Sequence, residues 1–284
     1  MKNQYNPYGE KNFRINIDSI DGLERKPLTT DEQAVLKALC LGKKNVRDLD
    51  QFSDIYLADE IKHDQLTVQE LRKNARFGKT ERGEILEAIL SDRIDLAEWL
   101  GNCHVHLATR YDDFINGFDM IVEWEDGTKL VLDTTVTSVS EVIAKKTKKL
   151  VDGMLRKNGT TAKYFQSEFN NQEYGPQSYL PKAIINVDKD SLQNLCELYN
   201  RAIKGEKGIE SKFACHKIQF ELIKCIEEQM KQELEILLSH DKSEKNPLVI
   251  NIKKVLNVLD QVKKEKGSNN EVETFKSVAA VNLL

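Results

Sequence analysis

The sequence has no apolar run that approaches the length of a membrane span. A transmembrane helix needs about 20 consecutive apolar residues, and the apolar stretches of this 284-residue chain are far shorter. The first residues, MKNQYNPYGEKN, also lack the apolar core of a signal peptide. These absences exclude a membrane-embedded protein and predict a cytoplasmic one with no membrane partner.

Cysteine is scarce and its spacing follows no pattern. The five cysteines are odd in number, scattered along the chain and mostly flanked by apolar residues. Such usage favours reduced thiols in a core over a disulfide framework. Internal repeats are lacking as well. The chain is therefore expected to be an ordinary globular protein, long enough for one large domain or two modest ones.

An excess of positive charge is also lacking. The formal net charge is −4, with 31% charged and 40% hydrophobic residues. This balance argues against non-specific coating of nucleic acid. It is compatible with a local basic groove, because nucleic-acid binding depends on where charges lie more than on their sum.

A nucleotide-binding loop is incomplete in this sequence. Gly78-Lys79-Thr80 matches the end of a phosphate-binding P-loop, but the motif also needs a glycine five residues before Gly78. That position is Lys73. The segment is therefore interpreted as a loop between helices.

Helix signals precede and follow a central run of strands. Residues 1–28 are expected to form an extended arm, followed by a short helix that begins with capping boxes at residues 29–33 and ends at Gly42. Thr67 with Glu70 predicts the start of a helix that reaches about Phe77. Helical spacing of apolar residues then predicts further helices at about 81–100, 140–155, 191–204, 211–240 and 249–266. Residues 156–180 are interpreted as a long loop or lid.

The clearest strand signal is a hairpin between residues 119 and 133. Two apolar runs flank Glu125-Asp126-Gly127-Thr128, and the Asp-Gly step supplies the positive φ of a tight turn. Asp119 precedes the first run and Asp133 follows the second, so the two carboxylates should lie opposite each other. Paired carboxylates repel unless a cation is present, and hard cations such as Mg²⁺ prefer oxygen ligands. Further strands are predicted at residues 103–107 and 181–187.

Other residues near this hairpin are candidates for chemistry. Glu84 and Glu87 lie one turn apart on the preceding helix, and Lys146 lies within the apolar stripe of the following helix. A lysine at a core-facing edge either reaches a carboxylate or anion, or extends its ammonium group to solvent. Asp112 and Asp113 are weaker candidates, since acids in a loop before a strand are usually solvated.

A zinc site is a separate alternative. His104 and His106 point to the same face of the predicted strand, and Cys103 is adjacent. No second cluster with ligand spacing accompanies them in the sequence. Cys215-His216 is too isolated to complete a site.

The middle of the chain resembles the PD-(D/E)xK nuclease superfamily, which has the restriction-endonuclease-like fold. The resemblance rests on Glu84 or Glu87 in RGEILEAIL, on Gly117-Phe118-Asp119 at the start of a strand, and on Leu132-Asp133-Thr134-Thr135 at the end of the next. It covers about residues 81–190. The family pattern places a lysine two residues after the second acid, where this chain has Thr135; some relatives carry it on the following helix, which points to Lys146, with Lys149 as the second choice.

The resemblance implies an α/β fold, with a central mixed sheet flanked by helices and with helical extensions at both ends. The implied domains are an N-terminal arm and helices (1–75), a nuclease-like core (76–190) and a C-terminal helical region (191–284). Asp119, Asp133 and Glu87 or Glu84 would bind Mg²⁺ or Mn²⁺, and Lys146 would orient water or offset charge on the phosphate.

The function that follows is metal-dependent cleavage of nucleic acid, with DNA as the expected substrate. Because two copies commonly cut the two strands of a duplex, a homodimer is a further expectation. Two alternatives remain: a nuclease-fold protein that binds nucleic acid or protein without cleaving, prompted by Thr135, and an unrelated α/β protein that interacts through its C-terminal helices.

Overall fold

Helices and strands alternate around one mixed sheet. The computed structural model describes residues 27–40, 48–74, 81–214, 216–240, 243–266 and 278–279. The α-helices are α1 (Thr30–Val35), α2 (Ala58–Asn74), α3 (Glu81–Leu96), α4 (Ser140–Lys157), α5 (Lys189–Ile203), α6 (Ile209–Ala214), α7 (Ile218–Ser239) and α8 (Pro247–Glu265). Short π- or 3-10-helical segments are Leu36–Cys40, Leu49–Phe52 and Asp112–Asn116. The strands are β1 (Cys103–Leu107), β2 (Met120–Trp124), β3 (Lys129–Thr135), β4 (Thr160–Ala162), β5 (Gln177–Leu180), β6 (Lys182–Val187) and β7 (Val278–Ala279).

The main sheet has the strand order β1-β2-β3-β6-β7. Its neighbours pair antiparallel except β3 and β6, which run parallel and are connected through α4. The predicted hairpin is present as β2 and β3, and Gly127 adopts a φ of 80° in its turn. The expected mixed sheet flanked by helices is therefore confirmed.

The two faces of this sheet differ in polarity. One face is apolar and packs against α3, α7 and α8, with Val105, Val122, Leu132 and Ile185 among its buried residues. The opposite face carries ionisable side chains at both ends of the hairpin, because side chains alternate along each strand. Between those ends lies a small apolar cluster made of Phe118, Ile121, Val131, Ala162, Phe165 and Leu180.

A side chain from α7 completes the hydrogen bonding of β6. The backbone N–H of Ile184 donates to Oε1 of Gln229 at 2.9 Å, and Nε2 of Gln229 donates to the Ile184 carbonyl at 2.9 Å. β7 pairs only with Asn186 and Val187. The buried amide of Gln229 therefore takes the place of a neighbouring strand on this edge, where unpaired backbone groups would otherwise be exposed or unsatisfied.

Several predicted helix boundaries are wrong. The capping box predicted at Thr67 lies inside α2, where the Thr67 hydroxyl donates to the His63 carbonyl, because the charged sequence before it already forms a helix from Ala58. α3 ends at Leu96, and Glu98 adopts a left-handed φ of 52°. The helix predicted over 211–240 is divided into α6 and α7. Gly42 and Phe77 lie outside the described residues.

Other predictions are confirmed or refined. Thr29 and Glu32 form the capping box of α1. The segment interpreted as a loop or lid contains β4 and β5, which pair with each other. Cys103, Cys196 and Cys225 are buried thiols, as predicted; the side chain of Cys40 and the whole of Cys215 are among the parts that the structure leaves undescribed. Within the described ranges, no helix has both the length and the apolar character needed to cross a membrane.

Replacing Gln229 tests the role of its amide. In Gln229→Met, the backbone N–H and C=O of Ile184 lose their partners inside the protein, and each unsatisfied buried group costs about 1 to 3 kcal/mol. We therefore expect the free energy of unfolding to fall by about 2 to 4 kcal/mol, measured by urea denaturation. Glu235→Met, at an exposed position of the same helix, should change it by less than about 0.5 kcal/mol. Equal effects of the two substitutions would contradict the assignment.

Candidate active site

A cleft of about 870 Å³ opens where β2 begins and β3 ends. Asp119 and Asp133 line it from the sheet. The facing wall is α4, and the remaining sides come from the turn before β2, the start of β4 and the first residue of β6. The ends of three strands and one helix face therefore meet at a single concave surface.

Asp133 lies between two ammonium groups. Its Oδ1 is 2.5 Å from Nζ of Lys146, and its Oδ2 is 2.9 Å from Nζ of Lys182. Burial alone would raise the pKa of this carboxyl, but the positive charges of Lys182 and Lys146 outweigh burial and lower the pKa below its usual value. Asp133 is consequently an ionised carboxylate at neutral pH.

Asp119 lies beside Asp133 on the adjacent strand. The pairing of Met120 with Leu132 continues outward, so that Asp119 falls opposite Asp133, and the Asp119 N–H donates to the Leu132 carbonyl at 2.9 Å. Oδ2 of Asp119 accepts hydrogen bonds from the backbone N–H of Thr134 at 2.6 Å and from its hydroxyl at 2.8 Å. These bonds fix the orientation of a carboxylate that is only 6% exposed.

Lys146 is the lysine that the sequence places within the apolar stripe of α4. It projects from α4 over the end of β3, and its Nζ also donates to the Thr134 carbonyl at 3.3 Å. Lys149 lines the same cleft. Burial lowers the pKa of Lys149, and the neighbouring charges of Lys145 and Lys182 add to this effect.

Lys182 is the residue of the site that sequence reasoning missed. It is the first residue of β6, and the parallel register places it beside Val131, on the same sheet face as Asp133. Its Nζ also donates to the Gly117 carbonyl, which is turned toward it by the left-handed conformation of Gly117, with a φ of 69°. A lysine at the start of a mostly apolar strand is the only local signal in the sequence.

The helix glutamates are not among the residues that line the cleft. Glu84 and Glu87 are half-buried on α3, and this helix contributes Gly83 to the lining. Their part in a metal site stays a prediction. The structure brings together Asp119, Asp133 and Lys146.

The α4 wall of the cleft is mainly cationic. Lys146, Lys149, Arg156 and Lys157 all line the cleft, and Asp152 is the acidic residue among them. They form a cationic stripe along one side of the helix, which is interrupted between Lys149 and Arg156 by Asp152 and Gly153. Such a surface attracts an extended polyanion.

Asp112 has a structural role. It is 1% exposed, and its carboxylate accepts hydrogen bonds from the side chains of Thr109 and Asn116 and from the backbone N–H groups of Lys163 and Tyr164. The expectation of a solvated loop acid is wrong, because the turn before β2 folds inward and uses this carboxylate to hold the segment after β4. Asp113, by contrast, lines the cleft.

Comparisons with known proteins give no match. No protein-family model, curated protein or solved structure corresponds to this chain.

Asp112→Ala should destabilise the fold. The substitution removes the acceptor of two backbone N–H groups, and leaving such buried donors unsatisfied costs about 2 to 4 kcal/mol in total. Chemical denaturation would measure this loss, with Asp54→Ala at an exposed position as the control. A difference between the two variants below about 0.5 kcal/mol would show that Asp112 does not anchor the turn.

Proposed function

We propose that this protein is a metal-dependent nuclease that hydrolyses phosphodiester bonds, with DNA as the substrate. The observation that carries the proposal is the meeting of Asp119 and Asp133 with Lys146 and Lys182 in one cleft walled by a cationic helix. The order of α3, three antiparallel strands, α4 and the parallel β6 also supports a restriction-endonuclease-like fold. The family resemblance predicts acids and a lysine at these positions.

The donor set of the cleft suits a hard divalent cation. Asp119 and Asp133 offer carboxylate oxygens on adjacent strands, and Mg²⁺ or Mn²⁺ prefers such ligands. When bound there, the ion would polarise the scissile phosphate and lower the pKa of a coordinated water. Glu84 or Glu87 on α3 stays the proposed third carboxylate.

The two lysines differ in their freedom to move. The Lys182 side chain is 11% exposed, and its Nζ is shared between Asp133 and the Gly117 carbonyl. The Nζ of Lys146 is likewise shared between Asp133 and the Thr134 carbonyl, but its side chain is 26% exposed and belongs to the helix wall that faces the cleft. We propose that Lys146 contacts the reacting water or a phosphate oxygen, because its ammonium group can move away from Asp133 when a cation binds there. Lys182 then acts as a positioning residue that keeps Asp133 ionised.

The cationic stripe of α4 supports a nucleic-acid substrate. Lys149, Arg156 and Lys157 lie on the same side of the helix as Lys146, along the cleft that holds the carboxylates. A phosphodiester backbone along this wall would neutralise these charges and release counterions, which makes its binding weaken as salt rises.

A second candidate function is nucleic-acid binding without cleavage. It is favoured by the contacts of Asp133, since two ammonium groups already neutralise the carboxylate that a catalytic ion would need. Thr135, at the position where the family pattern has lysine, favours the same alternative.

Cleavage assays separate these two functions. Incubation with plasmid and single-stranded DNA should show cleavage with Mg²⁺ or Mn²⁺ and none with EDTA. Asp119→Asn and Asp133→Asn should each lower the rate by at least about 1000-fold, because each carboxylate holds the ion directly.

The matched control is Asp152→Asn, which removes an acid from the wall of the same cleft and should keep most activity. Metal-dependent cleavage that persists in Asp133→Asn would overturn the site assignment. Salt-dependent DNA binding without cleavage in the unaltered protein would favour the second function.

Lys182→Met should change how activity depends on pH. Burial raises the pKa of Asp133 and Lys182 counteracts it, so the variant will protonate this carboxyl at a higher pH. Because metal binding needs the carboxylate, the acidic limb of the cleavage rate should move to higher pH, with the rate at alkaline pH less affected. Lys189→Met, at an exposed position, is the control. An unshifted acidic limb in Lys182→Met would mean that Lys182 does not set the charge of Asp133.

A further inference from the structure

A second group of possible ligands lies on the same sheet face, at the other end of the hairpin. His104 and His106 of β1 and Glu168 from the segment between β4 and β5 bring potential ligand atoms within 4.8 Å of one another. Nε2 of His104 is 3.9 Å from Oε1 of Glu168, and the two imidazole rings are 4.9 Å apart. The group therefore has the composition and proximity of a metal site.

Each imidazole is oriented by a second carboxylate. Nδ1 of His104 is 3.0 Å from Oδ1 of Asp95, and Nε2 of His106 is 2.8 Å from Oε2 of Glu123. Metal-binding histidines usually donate their other ring N–H to such a carboxylate, which fixes the tautomer and raises the basicity of the ligating nitrogen. A metal here would accordingly bind His104 through Nε2 and His106 through Nδ1.

The carboxylate behind His106 also positions the third ligand. Glu123 is fully buried and accepts hydrogen bonds from the Ser167 hydroxyl at 2.6 Å and from the backbone N–H of Glu168 at 3.1 Å. Glu123 thus connects His106 to the backbone of Glu168.

The surroundings carry a surplus of negative charge. Asp95, Glu123 and Glu168 surround the two imidazoles, while the nearby ammonium of Lys129 lies 2.7 Å from Glu173 and 3.7 Å from Glu123. The carboxylates that surround the imidazoles repel one another. A bound cation would reduce this repulsion.

The group is separate from the cleft. On β2, Ile121 lies between Asp119 and Glu123, and on β3, Val131 lies between Asp133 and Lys129. Both apolar residues are buried in the cluster that includes Phe165. Cys103, which sequence reasoning placed near a zinc site, points to the other side of β1, where its Sγ contacts the Ile94 carbonyl at 3.9 Å.

We infer that His104, His106 and Glu168 form a binding site for a borderline divalent metal ion, Zn²⁺ above all. Two imidazoles and one carboxylate are a common zinc donor set that leaves a fourth position for water, whereas Mg²⁺ avoids imidazole. Tetrahedral zinc holds its ligand atoms roughly 3.3 Å apart, so the group must contract slightly. Glu168 is suited to this movement, because its side chain is 48% exposed. The ion ties the segment after β4 to the edge strand β1.

Metal titration of the whole chain tests the site. Protein freed of metal with EDTA should bind one Zn²⁺ tightly in competition with a chromophoric chelator. Co²⁺ in place of Zn²⁺ should give the strong visible absorption of four-coordinate cobalt. His104→Ala and Glu168→Gln, which alter accessible side chains, should each weaken Zn²⁺ binding by at least about 10-fold, and Asp95→Asn by about 10-fold or more through the orientation of His104.

Two controls separate this site from others. His240→Ala removes an exposed histidine elsewhere, and Asp133→Asn removes a carboxylate of the cleft; Zn²⁺ affinity should be unchanged in both. Unchanged affinity in His104→Ala, or no stoichiometric binding by the unaltered chain, would overturn the inference. Loss of binding in Asp133→Asn alone would place the ion in the cleft, which would also contradict it. None of these outcomes depends on nuclease activity.

Discussion

A carboxylate that folding removes from water needs hydrogen bonds or positive charge in its place, and Asp133 is contacted by ammonium groups from two directions. The carboxylate lies near the end of β3, Lys146 comes from α4, and Lys182 begins β6. These three elements form one parallel crossover, so the two ion pairs also fix the helix and the second strand relative to the first. Removing one partner of a buried pair costs about 3 to 5 kcal/mol. The geometry of the cleft is therefore coupled to the stability of the crossover.

The same requirement shapes the whole polar face of the sheet. At the far end of the hairpin, Glu123 is buried with His106 and lies close to Lys129, as Asp133 is buried with its lysines. Between these ends the face is apolar and is covered by the segment that carries Phe165. The opposite face is packed with apolar residues against helices. One face thus supplies most of the hydrophobic stabilisation, which lets the other hold ionisable groups in fixed positions.

Local features of this fold were predictable and distant ones were not. The hairpin and the strand containing His104 follow from residues only a few positions apart, since turn chemistry and alternation are local. The same local reasoning failed at Thr67, where a capping pattern occurs inside a helix whose start has no comparable signal. Gln229 could not be identified either, because its partner Ile184 lies 45 residues away and only tertiary packing brings them together.

The same distinction between local and distant signals applies to the residues of the candidate site. Asp119, Asp133 and Lys146 could be selected because hairpin register and helical periodicity are readable, whereas Lys182 depends on the register of a parallel pair 51 residues apart at Val131. The nuclease pattern that the sequence resembles places a lysine beside the second acid, but electrostatics does not require that the positive charge come from the same strand. Here flanking elements place two ammonium groups on Asp133. The positive charge that Thr135 cannot supply therefore comes from Lys146 and Lys182, and the greater exposure of the Lys146 side chain makes it the more mobile of the two.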